Sequence, residues 1–290
     1  MAVAVSETLA EAGPAPVAGV REIVLVASGK GGVGKSTVAI NLAVALAREG
    51  MRIGIVDLDF GGPSIARLAG AGAAPELGPD GLATPRLAHG LHLVSAADMI
   101  PPEQAVAWKG PLVAQAVEQF FREVAWPGLD ILVADLPPGT GDVHLTVLEQ
   151  IPVSGVVVVT TPERLATVDA ERAVALFHEH DVPVFGIVRN MAEFICPCCG
   201  ERQALFDPGE AVDVARRMHV ADLGAIPVEM AAARRAAEGV PVMAAEPDGP
   251  AGQAFARLAG SVRAALERER AAMRRRAEGE RTIWELINDE

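Results

Sequence analysis

The sequence predicts an α/β protein built on a single doubly wound, mainly parallel sheet. Three observations support this class. Short β-branched runs recur along the chain, they lack the apolar-polar alternation of a half-solvated sheet, and longer helix-like segments separate them. Strands that alternate with helices indicate right-handed βαβ units, in which helices cover both faces of a parallel sheet.

Six runs are predicted as strands and four longer segments as helices. The strands cover residues 23–27, 53–56, 91–94, 131–134, 156–160 and 184–188. The helices cover residues 36–48, 102–123, 162–180 and 208–218. Sheets of this type bind ligands outside the carboxyl ends of their strands, so functional residues are expected in the loops that follow these runs.

The composition divides the chain into three parts. Residues 1–20 are rich in Ala, Pro and Gly without a helical stripe, and we expect them to be a disordered leader. Residues 21–262 are expected to form the α/β domain. Residues 263–290 are charged and helix-prone, so we expect a helical C-terminal tail, whose acidic end "ELINDE" disfavours binding to anionic lipid.

Charge and hydropathy exclude some partners. A net charge of −13 disfavours nucleic acid, because such binding depends on Lys and Arg neutralising phosphates. No apolar run approaches the ~20 residues of a membrane helix. The first basic residue is Arg21, so the start lacks the charged region of a secretory signal. We therefore expect a cytoplasmic protein without nucleic-acid or membrane partners.

The segment "SGKGGVGKST" follows the first strand and begins a helix, and it satisfies the phosphate-loop pattern G-x-x-x-x-G-K-[ST]. Glycines let the backbone wrap phosphate oxygens, Lys35 can reach the β and γ phosphates of ATP, and Ser36 can ligate Mg²⁺. The predicted nucleotide-binding residues are Gly29, Lys30, Gly31, Gly32, Val33, Gly34, Lys35, Ser36 and Thr37.

Carboxylates follow two of the predicted strands. Asp57 and Asp59 in "VDLDFGGPS" alternate along an extended segment, so both can face the phosphate side, although either can instead cap the next turn. Asp135 in "ILVADLPPGTGD" stands where a Walker B acid holds magnesium, directly or through water. Ser36 and Asp135 are therefore the predicted magnesium residues.

All three cysteines lie in "FICPCCG", at residues 194–200. A disulfide, a zinc site, a redox pair and a metal cluster are all compatible with this segment alone. A structural zinc or cubane site needs about four protein ligands, and adjacent cysteines rarely share one site. One subunit therefore cannot close such a site, whereas a two-fold dimer can contribute Cys196 and Cys199 twice.

The extra lysine of the loop, Lys30, resembles the deviant Walker A motif of the ParA, MinD and nitrogenase iron protein superclass. Members of that group dimerise face to face over nucleotide. The resemblance implies that Lys30 reaches into the partner's phosphate site, that Asp59 orients the attacking water, and that Lys30, Lys35 and Asp59 together support ATP hydrolysis.

A longer series of motifs is similar to the Mrp/ApbC/NBP35 family of iron-sulfur cluster carrier ATPases. "DFGGPSIARLAG", "WKGPLV", "DLPPGTGDVHLTV", "TTPE", "NMAEFICPCCG" and "IPVE" follow the phosphate loop in this order. The resemblance implies that Asn190 contacts adenine and that Cys196 and Cys199 ligate the cluster. Cys198 and Arg189 depart from the usual pattern, and no role is predicted for them.

The resemblance implies a homodimeric ATPase that uses ATP and Mg²⁺. It would receive a [4Fe-4S] cluster from a donor, hold it between the subunits and pass it to apo-proteins. Three alternatives remain at this point. They are a zinc-bridged dimeric ATPase, a spatial regulator of the MinD or ParA kind, and a nitrogenase-like electron-transfer protein.

Overall fold

The computed structural model describes residues 14–99, 110–206 and 209–288, without the side chains of 209–211, 231 and 277–288. Its strands are β1 (Val20–Ser28), β2 (Ile53–Asp57), β3 (Glu76–Leu77), β4 (Ala83–Thr84), β5 (Arg86–Ala88), β6 (Leu91–Ser95), β7 (Leu129–Pro138), β8 (Gly155–Thr160), β9 (Val184–Arg189), β10 (Glu193–Ile195), β11 (Arg202–Ala204) and β12 (Asp222–Ala225).

Eight of these strands form the central sheet, in the order β12-β9-β8-β1-β7-β2-β6-β5. Neighbouring strands are parallel except for the β5-β6 edge pair. This confirms the predicted doubly wound, mainly parallel sheet, and all six predicted strands are present. The two edge strands were not predicted, because "RLA" and "DLGA" are short and lack the β-branched run on which the prediction depends.

Helices cover both faces of the sheet. They are α1 (Lys35–Arg48), α2 (Ile65–Leu68), α3 (Gly110–Arg122), α4 (Asp142–Gln150), α5 (Arg164–Glu179), α6 (Gly209–Arg217), α7 (Met230–Ala237), α8 (Val242–Ala245) and α9 (Pro250–Asn288). The core on one face includes α1, α2, α8 and α9, and the core on the other includes α3 to α6. Of the predicted helix 102–123, residues 102–109 lie outside the described part of the chain.

The ends of the domain differ from the predicted boundaries. Val17 is buried in the core, and Arg122 donates hydrogen bonds to the carbonyls of Ala15 and Pro16. The packed domain thus begins before residue 21, where the sequence analysis placed its start. At the other end, α9 runs continuously through residue 263 and buries Leu266, so no structural boundary falls there.

None of the helices in the described ranges is both long and apolar enough to cross a membrane.

Two glycine substitutions test the packing of this fold. Gly54 lies in β2, and a Cβ there would come within 2.4 Å of a Leu129 methyl carbon and 2.9 Å of one in Leu132. We expect Gly54→Ala to lower the free energy of unfolding by about 1–3 kcal/mol through overpacking. Gly260 in α9 has open space around it, so Gly260→Ala should raise that free energy by about 0.5–1 kcal/mol. Urea denaturation measures both, and a Gly54→Ala chain as stable as Gly260→Ala would contradict the packing described.

Candidate functional site

The phosphate loop joins the end of β1 to the start of α1. Gly32 and Gly34 have φ values of 84° and 80°, a left-handed conformation that side chains rarely adopt. The loop borders a cavity of about 330 Å³ at the amino end of α1, where the helix dipole favours anions. Its lining residues are Ser28, Lys30, Gly31, Gly32, Gly34, Lys35, Ser36, Thr37, Asp59, Ser64, Leu68 and Pro138.

Two residues predicted to bind nucleotide, Gly29 and Val33, do not line this cavity. Gly29 packs against α5, where a Cβ would fall 2.0 Å from the carbonyl oxygen of Asp169. Val33 is buried, and its carbonyl accepts a hydrogen bond from the side chain of Asn190. The structure therefore gives both residues a role in shaping the loop.

A buried ion pair links the loop to the centre of the sheet. Lys35 Nζ lies 2.7 Å from Asp135 Oδ1, 3.3 Å from Ser36 Oγ and 3.9 Å from Asp59 Oδ2. Burial raises the pKa of Asp135 to about 6, against the opposing effect of the Lys35 charge. The predicted phosphate lysine and the predicted magnesium carboxylate thus contact each other directly.

Asp135 also offers an unused ligand atom. Its Oδ2 is buried and has no hydrogen-bond partner. Carboxylate and hydroxyl oxygens are the ligands that Mg²⁺ prefers, and the ion is usually held by one or two carboxylates together with substrate phosphates. Within the described residues no three His, Cys, Asp or Glu side chains converge on one point. Asp135 and Ser36 therefore fit a magnesium ion whose other ligands come from nucleotide and water.

Of the two carboxylates that could face the phosphate side, Asp59 lines the cavity and Asp57 does not. It is fully buried, and it accepts hydrogen bonds from the amides of Asp59, Ser64 and Ile65 and from the hydroxyl of Ser95. Burial raises its pKa. Asp57 thus holds the turn that places Asp59 at the cavity, which is the capping role left open in the sequence analysis.

Lys30 lies at the rim of the cavity. Its Nζ is 3.2 Å and 3.4 Å from the two carboxylate oxygens of Glu163, just before α5. Both side chains are about 40% exposed, at 38% and 43%. In the single chain, the lysine expected to reach a partner's nucleotide is paired with a carboxylate of its own subunit.

A second cavity, of about 180 Å³, adjoins the first at Thr37, which lines both. Its other lining residues are Asn190, Met191, Ile226, Pro227, Val228, Glu229, Ala232, Ala233, Ala236, Val242, Ala251 and Phe255. Asn190 donates from its side-chain nitrogen to the carbonyl of Val33 at 2.8 Å. The lining is mostly apolar, as suits a planar ring system beside a phosphate site.

The cysteines lie at the turn of a hairpin outside the main sheet, formed by β10 and β11. All three are free thiols. Cys196 is partly buried, and Cys198 and Cys199 are exposed. The backbone amides of Cys198 and then Cys199 hydrogen-bond to the Cys196 sulfur and lower its pKa. The turn thereby favours the thiolate, the form of cysteine that ligates metals.

Some residues of the site had no predicted role. Glu163, Ser95 and residues 226–228 belong to it through contacts distant in sequence. The motifs "TTPE" and "IPVE" contain Glu163 and residues 226–228, but a motif does not indicate which distant residues it contacts. His144, for which no role was predicted, is buried beside Phe177.

Three features occur together in this chain: a glycine-rich loop between β1 and α1 of a parallel sheet, a lysine buried against an aspartate near a strand end, and a cavity at a helix amino end that favours anions. Together they define a P-loop nucleoside triphosphatase. A family model described as "ParA: NUBPL iron-transfer P-loop NTPase" matches residues 19–263. The chain therefore belongs to the NUBPL-type iron-transfer branch of the ParA class of P-loop NTPases.

Curated relatives agree with this assignment. The chain is 42% identical over 249 residues to the iron-sulfur cluster carrier protein of Escherichia coli K12, covering 86% of this chain and 68% of that protein. It is 39% identical over 249 residues to the iron-sulfur cluster transfer protein NUBPL of Mus musculus, covering 85% and 78%.

Solved structures confirm the fold. A nucleotide-binding protein of Archaeoglobus fulgidus, in complex with ADP and with cobalt, is 36% identical with a TM-score of 0.66, covering 76% of this chain and 87% of that one. The cell division ATPase MinD of Pyrococcus furiosus has a TM-score of 0.62 at 22% identity, covering 83% and 98%. At that identity the likeness shows the fold alone.

His144 gives a pH-dependent test. Burial lowers its pKa from 6.5 to about 4, so between these values the unfolded chain binds the proton and the folded chain does not. The stability contributed by the neutral ring is therefore lost as pH falls through this window, by up to about 3 kcal/mol. His144→Leu should gain stability relative to wild type as pH is lowered from 7 to 4, as measured by urea unfolding of the nucleotide-free chain. A stability difference that stays constant with pH would contradict it.

Proposed function

We propose that this chain is a homodimeric ATPase that receives a [4Fe-4S] cluster from a donor protein, holds it between its subunits and transfers it to apo-proteins in the cytoplasm. One observation carries the proposal. Each chain presents one C-x-x-C pair on an exposed turn whose backbone favours thiolate, and that turn follows a strand of the sheet that also carries the phosphate loop. Membership of an iron-transfer family supports it.

The count of ligands favours a shared site. A cubane cluster needs about four ligands, and within the described residues one subunit provides no convergent set of three. An isologous contact brings Cys196 and Cys199 of one subunit opposite the same pair of the other. A cluster held by only two ligands from each side, one partly buried and one exposed, is open to exchange, which suits a cargo that must leave.

ATP hydrolysis would use the residues of the first cavity. Lys35 would exchange its contact with Asp135 for one with the β and γ phosphates. Asp59, which lines the cavity, would orient the attacking water. Ser36 and Asp135 would hold Mg²⁺, which would neutralise part of the phosphate charge. Lys30 would leave Glu163 for the partner's nucleotide, so a weak exposed ion pair is exchanged for a contact across the dimer.

The second cavity would hold the adenine. Because Thr37 lines both cavities, a nucleotide with its phosphates at the loop can place its base between Asn190 and residues 226–228. Asn190, which already contacts the loop through Val33, would then contact the ring.

Cysteine substitutions test the proposal. After anaerobic reconstitution with iron and sulfide, Cys196→Ser and Cys199→Ser should lose at least about 90% of the bound iron while still binding ATP, because two ligands per dimer cannot hold a cluster. Cys198→Ser is the matched control, since it removes a thiol from the same turn and should retain both activities. Iron analysis and nucleotide titration measure the two properties.

The same experiment separates the alternatives. Loss of iron in the Cys198→Ser chain alone would overturn the ligand assignment. Retention of iron by all three variants would overturn the cysteine site, as expected for a spatial regulator whose cysteines have no function. Zinc in place of iron in the wild-type chain would favour the zinc-bridged dimer, because a four-cysteine site accepts either metal.

A further inference from the structure

The second cavity and the cysteine hairpin share one wall. Residues 226–228 line the cavity on one side and are hydrogen-bonded to the hairpin on the other. We propose that this segment couples occupation of the cavity by a nucleotide base to the order of the cysteine hairpin. The inference rests on the proposed function and specifies how its two sites communicate.

The hydrogen bonds between wall and hairpin are direct. The Val228 amide donates to the Glu193 carbonyl at 2.7 Å, and the Ile195 amide donates to the Val228 carbonyl at 3.2 Å. The Ala192 amide, one residue before β10, donates to the Ile226 carbonyl at 3.1 Å. Because β10 ends one residue before Cys196, a movement of residues 226–228 would also move the first thiol of the pair.

The hairpin depends on this wall because it has little other support. It lies outside the eight-stranded sheet and consists of two three-residue strands. A two-stranded hairpin of this length is marginally stable on its own. Its order should therefore follow the order of the segment to which it is bonded.

The chain between the loop and the hairpin is tightly constrained. Met191 has a φ of 54°, a left-handed conformation that is costly for a residue with a side chain. A Cβ at Gly34 would come within 2.2 Å of Asn190 Nδ2 and 3.2 Å of Met191 Cε, so both side chains lie against the phosphate loop. Asn190 and Met191 thus contact the loop and line the cavity immediately before the hairpin begins.

A base in the cavity would restrict the wall from one side. The cavity is also lined by α7 residues such as Ala232 and Ala233 and by Phe255 of α9. A base that fills the cavity would contact residues 226–228 and would restrict their movement into this space. Residues 226–228 line the second cavity and not the first, so phosphates bound at the loop alone would not contact them and the coupling requires the base.

Hydrogen-deuterium exchange of the full chain tests the coupling between the cavity and the hairpin. Exchange is compared at saturating ADP and at saturating pyrophosphate, both with Mg²⁺. Light scattering first shows that the samples are monomeric. ADP should slow exchange of the amides of residues 192–196 and 228 about fivefold or more, and pyrophosphate should leave them within about twofold of the free chain. Equal protection by both ligands, or bound ADP without protection, would overturn the coupling. Failure of the chain to bind ADP would overturn the proposed nucleotide function as well.

A pair of glycine variants adds a second readout. Met191→Gly removes both the left-handed constraint and a side chain that lines the second cavity, so at saturating ADP it should lose the protection of residues 192–196. Asp181 follows α5, lies outside both cavities and has a similar left-handed φ of 55°. Asp181→Gly is therefore the control and should retain the protection of residues 192–196. The same protection in both variants would show that Met191 has no part in the coupling.

Discussion

The buried pair between Lys35 and Asp135 is the interaction on which the site depends. It holds the start of α1 against the carboxyl end of β7, with the lysine side chain 6% exposed and the aspartate fully buried. A buried charge without a partner is strongly destabilising, so each residue compensates the other in the nucleotide-free chain. Under the proposed function, phosphates would offer Lys35 a new partner and leave the Asp135 oxygens to a cation. The pair thus compensates two buried charges in the nucleotide-free chain.

The parallel sheet brings the other components to this pair. The phosphate loop, the Asp59 turn and Asn190 follow the carboxyl ends of three different strands, and Asp135 lies near the carboxyl end of β7; these ends share one edge of the sheet. The cysteine hairpin follows β9 by only three residues and is bonded to residues 226–228, which follow β12. Nucleotide and thiols are therefore connected by short segments, and a dimer formed over the nucleotide would also bring the thiols together.

Part of this was predictable from sequence, for identifiable reasons. The six β-branched strands and the phosphate loop are local patterns, and the sequence predicted them with small errors at their ends. Contacts between distant segments were not predictable. The spacing of Asp57 and Asp59 allowed both to face the phosphate side. In the structure, hydrogen bonds from the Ser64 amide and the Ser95 hydroxyl hold the Asp57 carboxylate in the protein interior. Gly29 matched a phosphate-binding pattern, yet its lack of a side chain is needed for packing on α5. The short edge strands lacked any periodicity to detect.

Metal stoichiometry shows whether one cluster site is assembled from two chains. The wild-type chain is reconstituted anaerobically with iron and sulfide, and iron, zinc and molar mass are measured on the same sample. We expect a dimer with about four irons, because two thiolates from each subunit complete a cubane site. A monomer that carries about four irons, or a metal-free dimer, would contradict it.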